Sequence, residues 1–440
     1  MGYTRFYGKL QQETADITWR DVFSEYKNKH TRKELEYALL AGTAWNSVTE
    51  ADMLQKWKKP WVFYPLLRGG LGIVAVIYGL LMISLFTSHL TDAYIVMLTI
   101  IPPLVMPVIL MIFIWELNIP RNLSVYELFL FFLLGGVASF FVTALMYEFV
   151  GNGPASLAAF REEPAKFAVS LLFLHLFSKK KKLYGLTGLV IGAAVGAGFG
   201  GFESIAYAQR MGGNLSAIIV NQILRGIFSL GGHVVFCAPY MGAIALNMSR
   251  SKAAVDCLLE RDFMTTFAAS TALHFLWNCS LPELGIPSNS PVLYMGKSIL
   301  VIVLLWMELL YIAKKCLHQA VVFGMERQGN ILAQTQRIRV ECVTGVIRGA
   351  VWESEGNEIL TIGRNANMVF QIPASLGTVS RRHCSIQRTY QGWTLRDLHS
   401  TCGTFVGKNQ KLMPGLDYVL HSGEIIYLAG KENAFRVTFP

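Results

Sequence analysis

The sequence predicts an α-helical polytopic membrane domain of about eight transmembrane helices, both termini cytoplasmic, followed by a C-terminal all-β sandwich. Three observations predict it. Hydrophobic residues make up 53% and charged residues 15% of the 440-residue chain, and the mean hydropathy is +0.40, well above the soluble norm. Apolar runs of about 20 residues, enough to cross roughly 30 Å of hydrocarbon, recur between residues 66 and 315. From residue 336 onward the apolar residues alternate in short strands separated by glycine-containing turns.

Residues 1–65 read as a small cytoplasmic helical segment. Thr31 and Glu34 form a capping-box pattern, and Gly42 is placed to end that helix. The membrane domain, 66–315, holds apolar runs at about 69–88, 93–115, 126–149, 165–178, 183–208, 216–247, 262–282 and 293–313. Its fourth run is short and its sixth long. A polar linker occupies 316–335. The sandwich, 336–440, begins with Ile338/Val340/Cys342 and continues through Leu360/Ile362, Trp393/Leu395 and Phe435/Val437/Phe439.

Lysines and arginines set the orientation. Lys56, Lys58, Lys59 and Arg68 precede the first run, Lys179 to Lys182 separate the fourth and fifth, Arg250, Lys252 and Arg261 separate the sixth and seventh, and Lys314 and Lys315 follow the eighth. All four places fall on one side only with eight crossings. Trp57 and Trp61 are expected at the interface. The net charge of +10 is explained by lysines beside anionic lipid, so no nucleic-acid partner is expected. The seven cysteines show no CxxC metal spacing, and Cys279 alone is expected near the outer face. No signal peptide is expected, because the first apolar stretch follows about 65 polar residues.

Six polar side chains sit where lipid is expected: Glu162, Glu163, Glu203, His233, His274 and Asn278. Ionisable groups in a bilayer cost several kcal/mol or more and mark functional cavities. Lys166 is spaced to neutralise Glu162 or Glu163, and His274 and Asn278, four apart, share a helix face. Arg225 precedes His233 by two turns. Each has a bland reading, as a helix cap, an interhelical hydrogen bond or a satisfied core histidine; the cluster as a whole reads as catalytic. Gly188, Gly192, Gly196 and Gly200 form a stripe for close helix packing rather than a phosphate loop, since no strand precedes them.

The order Glu162-Glu163-x-x-Lys166, Phe199-x-x-x-Glu203, Arg225 with His233, and His274-x-x-x-Asn278 resembles the PrsW family of glutamic intramembrane proteases, relatives of the type II CAAX prenyl endopeptidases of the ABI group. The resemblance covers about 70–315. It implies peptide-bond hydrolysis in a membrane-protein substrate, such as a single-span anti-sigma factor, in a bacterial cell membrane and without a cofactor. Cys237 stands where a small polar residue is frequent in that family. Chemically, Glu162 or Glu163 would activate water, His274 relay a proton, Asn278 donate to the oxyanion, and Glu203 orient an imidazole, with His233 a second proton carrier. A zinc site on His233, His274 and a glutamate is the competing mechanism.

In the sandwich, Gly363-Arg364, Ser380-Arg381-Arg382-His383 and Asp397-x-x-Ser400-Thr401-x-Gly403-Thr404-Phe405 resemble the forkhead-associated (FHA) domain over about 336–438. The resemblance implies binding of a threonine-phosphorylated protein, with Arg364, Ser380, Arg381 and Thr401 at the phosphate and His383 bracing the loop. Cys402 and Gly407 replace asparagines usual in that family. Two other functions stay open: a non-proteolytic scaffold that recruits phosphoproteins, and a transporter.

Overall fold

The computed structural model describes residues 24–25, 28–43, 60–87, 92–151, 153–212, 214–249, 254–287, 290–334, 337–355, 358–389, 392–407 and 410–439. Lys56, Trp57, Lys58, Lys59, Arg250 and Lys252 lie outside the described residues, as does most of the expected 1–65 segment. The chain divides into two compact units, one helical and one built on the sandwich.

The helical unit starts with α1 (Arg32–Leu39), whose capping box joins Thr31 and Glu34 reciprocally. Gly42 follows at φ +76°, and any Cβ there would collide with the backbone of Leu123 and Ser124; only glycine lets the segment dock so closely. α2 (Phe63–Phe86) has no side-chain cap of its own. Glu116, the last residue of α3 (Asp92–Glu116), supplies it, accepting from the N–H groups of Trp61, Val62 and Phe63 at 3.0, 2.7 and 3.0 Å. A carboxylate there satisfies orphan donors and the helix dipole together. Trp61 is correspondingly buried, stacked on His30 at 3.8 Å, rather than at the lipid interface as its position beside the lysines suggests.

α4 (Val125–Val150) opens with a Ser124/Glu127 capping box, and Lys181 of the lysine run reaches Glu127 at 2.8 Å. Next come α5 (Ala159–Ser178), α6 (Gly185–Arg210), α7 (Leu215–Phe228), α8 (His233–Met248), α9 (Ala254–Leu258), α10 (Arg261–Asn278) and α11 (Pro291–Gln334). Among the described residues, six helical stretches are long and apolar enough to cross a membrane: α2, α3, α4, α6, the α7–α8 run and α11. The expected fourth and seventh runs are helical, as α5 and α10 of 20 and 18 residues, but are not among these six, because they carry the ionisable residues. The long sixth run is two helices broken by a 3-10 turn at Ser229–Gly231. The polar stretch after the eighth run continues α11 as helix to Gln334.

The glycine stripe of α6 seats α8. A Cβ on Gly188, Gly192 or Gly196 would run into the carbonyls of Met241, Cys237 and His233 in turn, and one on Gly200 would meet the His233 ring. Close backbone approach is thus what positions His233.

The second unit has strands β1 (Ile338–Thr344), β2 (Val351–Ser354), β3 (Leu360–Gly363), β4 (Phe370–Gln371), β5 (Cys384–Thr389), β6 (Gly392–Asp397), β7 (Thr404–Val406), β8 (Gln410–Lys411), β9 (Asp417–Val419), β10 (Ile425–Leu428) and β11 (Ala434–Thr438). They form two sheets, ordered β2-β1-β11-β10-β7-β8 and β4-β3-β5-β6-β9. β1, β3, β6 and β11 are the strands expected from alternation. Their inward residues close one core around Trp393, Leu395, Ile362, Val340 and Phe435, as sandwich packing requires.

Candidate active site and phosphate-binding loops

Four helices bring the polar residues together. The first turns of α5 supply Glu162, Glu163 and Lys166, α6 supplies Glu203, α8 starts at His233, and α10 supplies His274 and ends at Asn278. Glu163 and Lys166 are fully buried and Glu162 is 8% exposed.

Glu163 is the hub. Its Oε1 accepts from Lys166 Nζ at 2.5 Å and from His274 Nδ1 at 2.6 Å, and its Oε2 from the Tyr240 hydroxyl at 3.1 Å. Of the two glutamates the i,i+3 partner of Lys166 is therefore Glu163. The same ammonium lies 2.8 Å from His233 Nδ1, and His233 Nε2 lies 3.1 Å from Glu203 Oε2. Arg225 pairs with Glu203 and donates from Nε to Ser204 Oγ at 2.7 Å. A carboxylate on His274 Nδ1 implies an N–H there, which leaves Nε2 as a bare acceptor. An ammonium on His233 Nδ1 and a carboxylate on Nε2 likewise assign that ring's tautomer.

Glu162 is different. Its Oε2 is buried and has no hydrogen-bond partner among the described residues, yet it stands 3.6 Å from His274 Nε2 and 3.9 Å from His233 Nδ1. Two acceptors facing each other with no donor repel, so a water, a proton or a cation belongs between them. Glu162, His233 and His274 have ligand atoms within 4.8 Å of one another. Two imidazoles and a carboxylate form a known zinc donor set, and the orphaned Glu162 oxygen suits it. Lys166, however, already donates to His233 Nδ1, so a metal would take that nitrogen only with the ammonium moved aside.

A cavity of about 230 Å³ opens beside the cluster, lined by Glu203, Arg225, His233, His274, Trp277 and Asn278. Asn278, the last residue of α10, is among the residues that line this space. Sequence reasoning missed Tyr240, Ser204 and Glu308. Tyr240 lies seven residues after His233 on α8 and was indistinguishable from a core aromatic.

In the sandwich, the loops after β3, before β5 and after β6 meet at one end. Arg364 N–H donates to Ser380 O at 3.2 Å, and Thr401 N–H donates to Ser380 Oγ at 2.9 Å. Arg381 and Thr401 are exposed. The Arg364 guanidinium donates to the carbonyls of Val379 and Ala374. His383 is buried and bridges two of the loops, accepting from Ser380 N–H at 3.0 Å on Nδ1 and reaching Gly403 O at 3.2 Å from Nε2. Burial holds its pKa below the ordinary value near 6.5, consistent with this neutral ring. Asp397 accepts from Ser400 Oγ and Thr404 Oγ1 at 2.6 and 2.5 Å. Burial works to raise its pKa, but those bonds outweigh it and hold the carboxyl below its usual range.

Residues 108–307 match the family model described as PrsW family intramembrane metalloprotease, and residues 360–429 match the FHA domain model. No curated protein matches the chain. Solved structures similar to it include the FHA domain of an Arabidopsis thaliana hypothetical protein, 25% identical, covering 24% of this chain and 86% of that one with a TM-score of 0.22. Another, from a study of phosphothreonine-dependent FHA domain interactions, is 27% identical over 24% of this chain and 97% of that one, with a TM-score of 0.20. The chain thus joins a stretch that matches the PrsW family, 108–307, to one that matches the FHA domain, 360–429.

Proposed function

We propose that the helical unit is a peptidase that hydrolyses a peptide bond of a membrane protein with a water held by Glu162 and His274. The facing acceptors Glu162 Oε2 and His274 Nε2, 3.6 Å apart with no donor between them, carry this reading. One water can donate a proton to each. As its oxygen attacks the scissile carbonyl carbon, Glu162 takes one proton. The bare Nε2 of His274, its ring held by Glu163, takes that proton from Glu162 and passes it to the leaving nitrogen as the C–N bond breaks. This restores the Glu162 carboxylate, while the second proton of the water leaves with the new carboxyl group. The Asn278 carboxamide donates to the oxyanion. Glu203, braced by Arg225, and Lys166 fix the His233 ring beside the water.

A metal is the second reading, favoured by the Glu162, His233 and His274 set and by the family description. When bound, a divalent ion would polarise the scissile carbonyl and its water. The ammonium of Lys166 beside His233 favours the glutamate reading, since it opposes a dication at the same place. Activity of the purified protein is expected to survive strong chelators, with no stoichiometric zinc by elemental analysis. Chelator-sensitive cleavage restored by zinc would replace the glutamate mechanism with the metal one.

Eight crossings with both termini cytoplasmic accompany this reading. α5 and α10, at 20 and 18 residues, span about 30 and 27 Å at 1.5 Å per residue, and their charges are paired inside the protein. The lysine run at 179–182 and Lys314 and Lys315 then share one side with the sandwich.

The sandwich binds a threonine-phosphorylated protein through Arg364, Ser380, Arg381 and Thr401. Arg364 must leave the carbonyls of Val379 and Ala374 to reach a phosphate. Because the sandwich closes its own core, residues 336–440 can be tested alone. They are expected to bind phosphothreonine peptides and not the unphosphorylated forms. Arg364→Ala is expected to weaken binding by about tenfold or more, the loss of charge-assisted hydrogen bonds, and Cys402→Asn to strengthen it. Binding indifferent to phosphate or to Arg364 would make the sandwich a docking module.

A further inference from the structure

Hydrolysis inside a membrane has a supply problem. A substrate that fills the 230 Å³ cavity shuts off the route through which that cavity takes up water. The structure holds a second polar path to the same place. On α10, Asp262, Thr266, Ser270, His274 and Asn278 recur at every fourth residue. That spacing keeps each residue beside the next while the stripe winds about 40° per step around the helix. It runs from the α11 side at Asp262 and Ser270 to Glu163 at His274. Asp262 and Asn278 are thus separated by about 24 Å along the axis, and the cavity touches only the His274–Asn278 end.

α11 supplies the matching groups. Lys315 Nζ donates to both carboxylate oxygens of Asp262 at 2.8 and 2.9 Å, a partly exposed pair at the far end of the stripe. Glu308, two turns earlier on α11, accepts from Ser270 Oγ at 3.2 Å. Ser270 is fully buried and stands one turn from His274. The other Glu308 oxygen, Oε1, is buried with no hydrogen-bond partner among the described residues. A carboxyl oxygen in a membrane span is costly without a donor, and Lys315 is taken by Asp262. The donor that fits a buried polar site of this kind is water, which satisfies otherwise unpaired groups in protein interiors. His274, four residues after Ser270, bonds Glu163 at 2.6 Å, so the path ends beside the catalytic hub.

We propose that the seam between α10 and α11, from Asp262–Lys315 past Glu308 and Ser270 to His274, is the route by which water reaches the catalytic cluster while substrate occupies the cavity. The proposal rests on the hydrolytic reading above. Each turnover then draws one water through the seam: its oxygen joins the acyl carbon and its two protons end on the products.

The test uses the full chain in lipid nanodiscs. Ser270→Cys and Thr266→Cys, both close in size to the native residue, are treated with a charged methanethiosulfonate that reacts in water and not in lipid. Met264→Cys and Met307→Cys are the controls, because those positions are exposed on the outer surfaces of the same two helices; the unsubstituted chain gives the background of its own cysteines. The seam positions are expected to react at least about tenfold faster than the controls. Modified Ser270→Cys is then expected to lose about tenfold or more in kcat with KM unchanged, since the seam is plugged and the cavity is not. Labelling no faster than at the lipid-facing controls, or full cleavage by the modified protein, would overturn the proposal. The labelling needs no cleavage, so a dry seam in an active enzyme refutes the route alone. A wet seam in a chain that cleaves nothing refutes the hydrolytic reading instead.

Discussion

Glu162→Gln and His274→Ala are each expected to lower cleavage by about a hundredfold or more, the range for losing a positioned acid–base group. The glutamine keeps the shape of Glu162 and removes its capacity to take a proton from water. The alanine at 274 removes the acceptor that faces it at 3.6 Å and breaks the bond to Glu163. Asn278→Ala belongs with them at roughly a hundredfold, the loss of one oxyanion donor. Glu163→Ala is expected to match His274→Ala, because it leaves the His274 ring without the carboxylate that fixes its tautomer. The check is single-turnover cleavage by purified variants that retain wild-type thermal unfolding. Normal turnover by both glutamate variants would remove the carboxylates from the mechanism.

Lys166→Met is expected to destabilise the helical unit by about 3–5 kcal/mol, the cost of stranding one member of a buried pair. Lys166 and Glu163 are both fully buried, 2.5 Å apart, and the ammonium also holds His233. The companion Lys166→Met/Glu163→Gln removes both charges. It is expected to regain most of the stability while remaining inactive, since His274 has lost its carboxylate. Thermal and denaturant unfolding in detergent micelles measures both. A Lys166→Met protein as stable as wild type would mean that the pair is not held as a buried ion pair.

Much of the frame could be read from the residues. Apolar run length located the helices, and alternation located the sandwich strands, because burial imposes both periods. The glycine stripe announced a close helix contact but not its partner, since nothing in the sequence pairs Gly196 with the His233 backbone. The break at Ser229–Gly231 appeared only as an overlong run. It matters because it starts α8 at His233 and so aims that ring into the cluster. Six polar residues were visible as ionisable groups in apolar stretches; that they converge was carried by their order and the family likeness. Their pairings were not legible: Lys166 had candidates three and four residues back, both within reach on a helix, and geometry alone chose Glu163. Tyr240 and Glu308 were missed for different reasons. A tyrosine in a span is ordinary, and Glu308 gains its meaning from Ser270 on another helix. The polar stripe of α10 was present in full from Asp262 onward, yet only its last two members stood out, because Thr266 and Ser270 carry no charge.

The central claim is that the chain cleaves a membrane protein through Glu162 and Glu163. Quantitative comparison of membrane proteins in cells expressing the wild type and the Glu162→Ala/Glu163→Ala variant at equal levels tests it most directly. The account predicts at least one single-span protein that accumulates intact in the variant cells and appears as a shortened fragment in the wild type. Identical membrane proteins in both, with both forms of the chain folded and inserted, would contradict it.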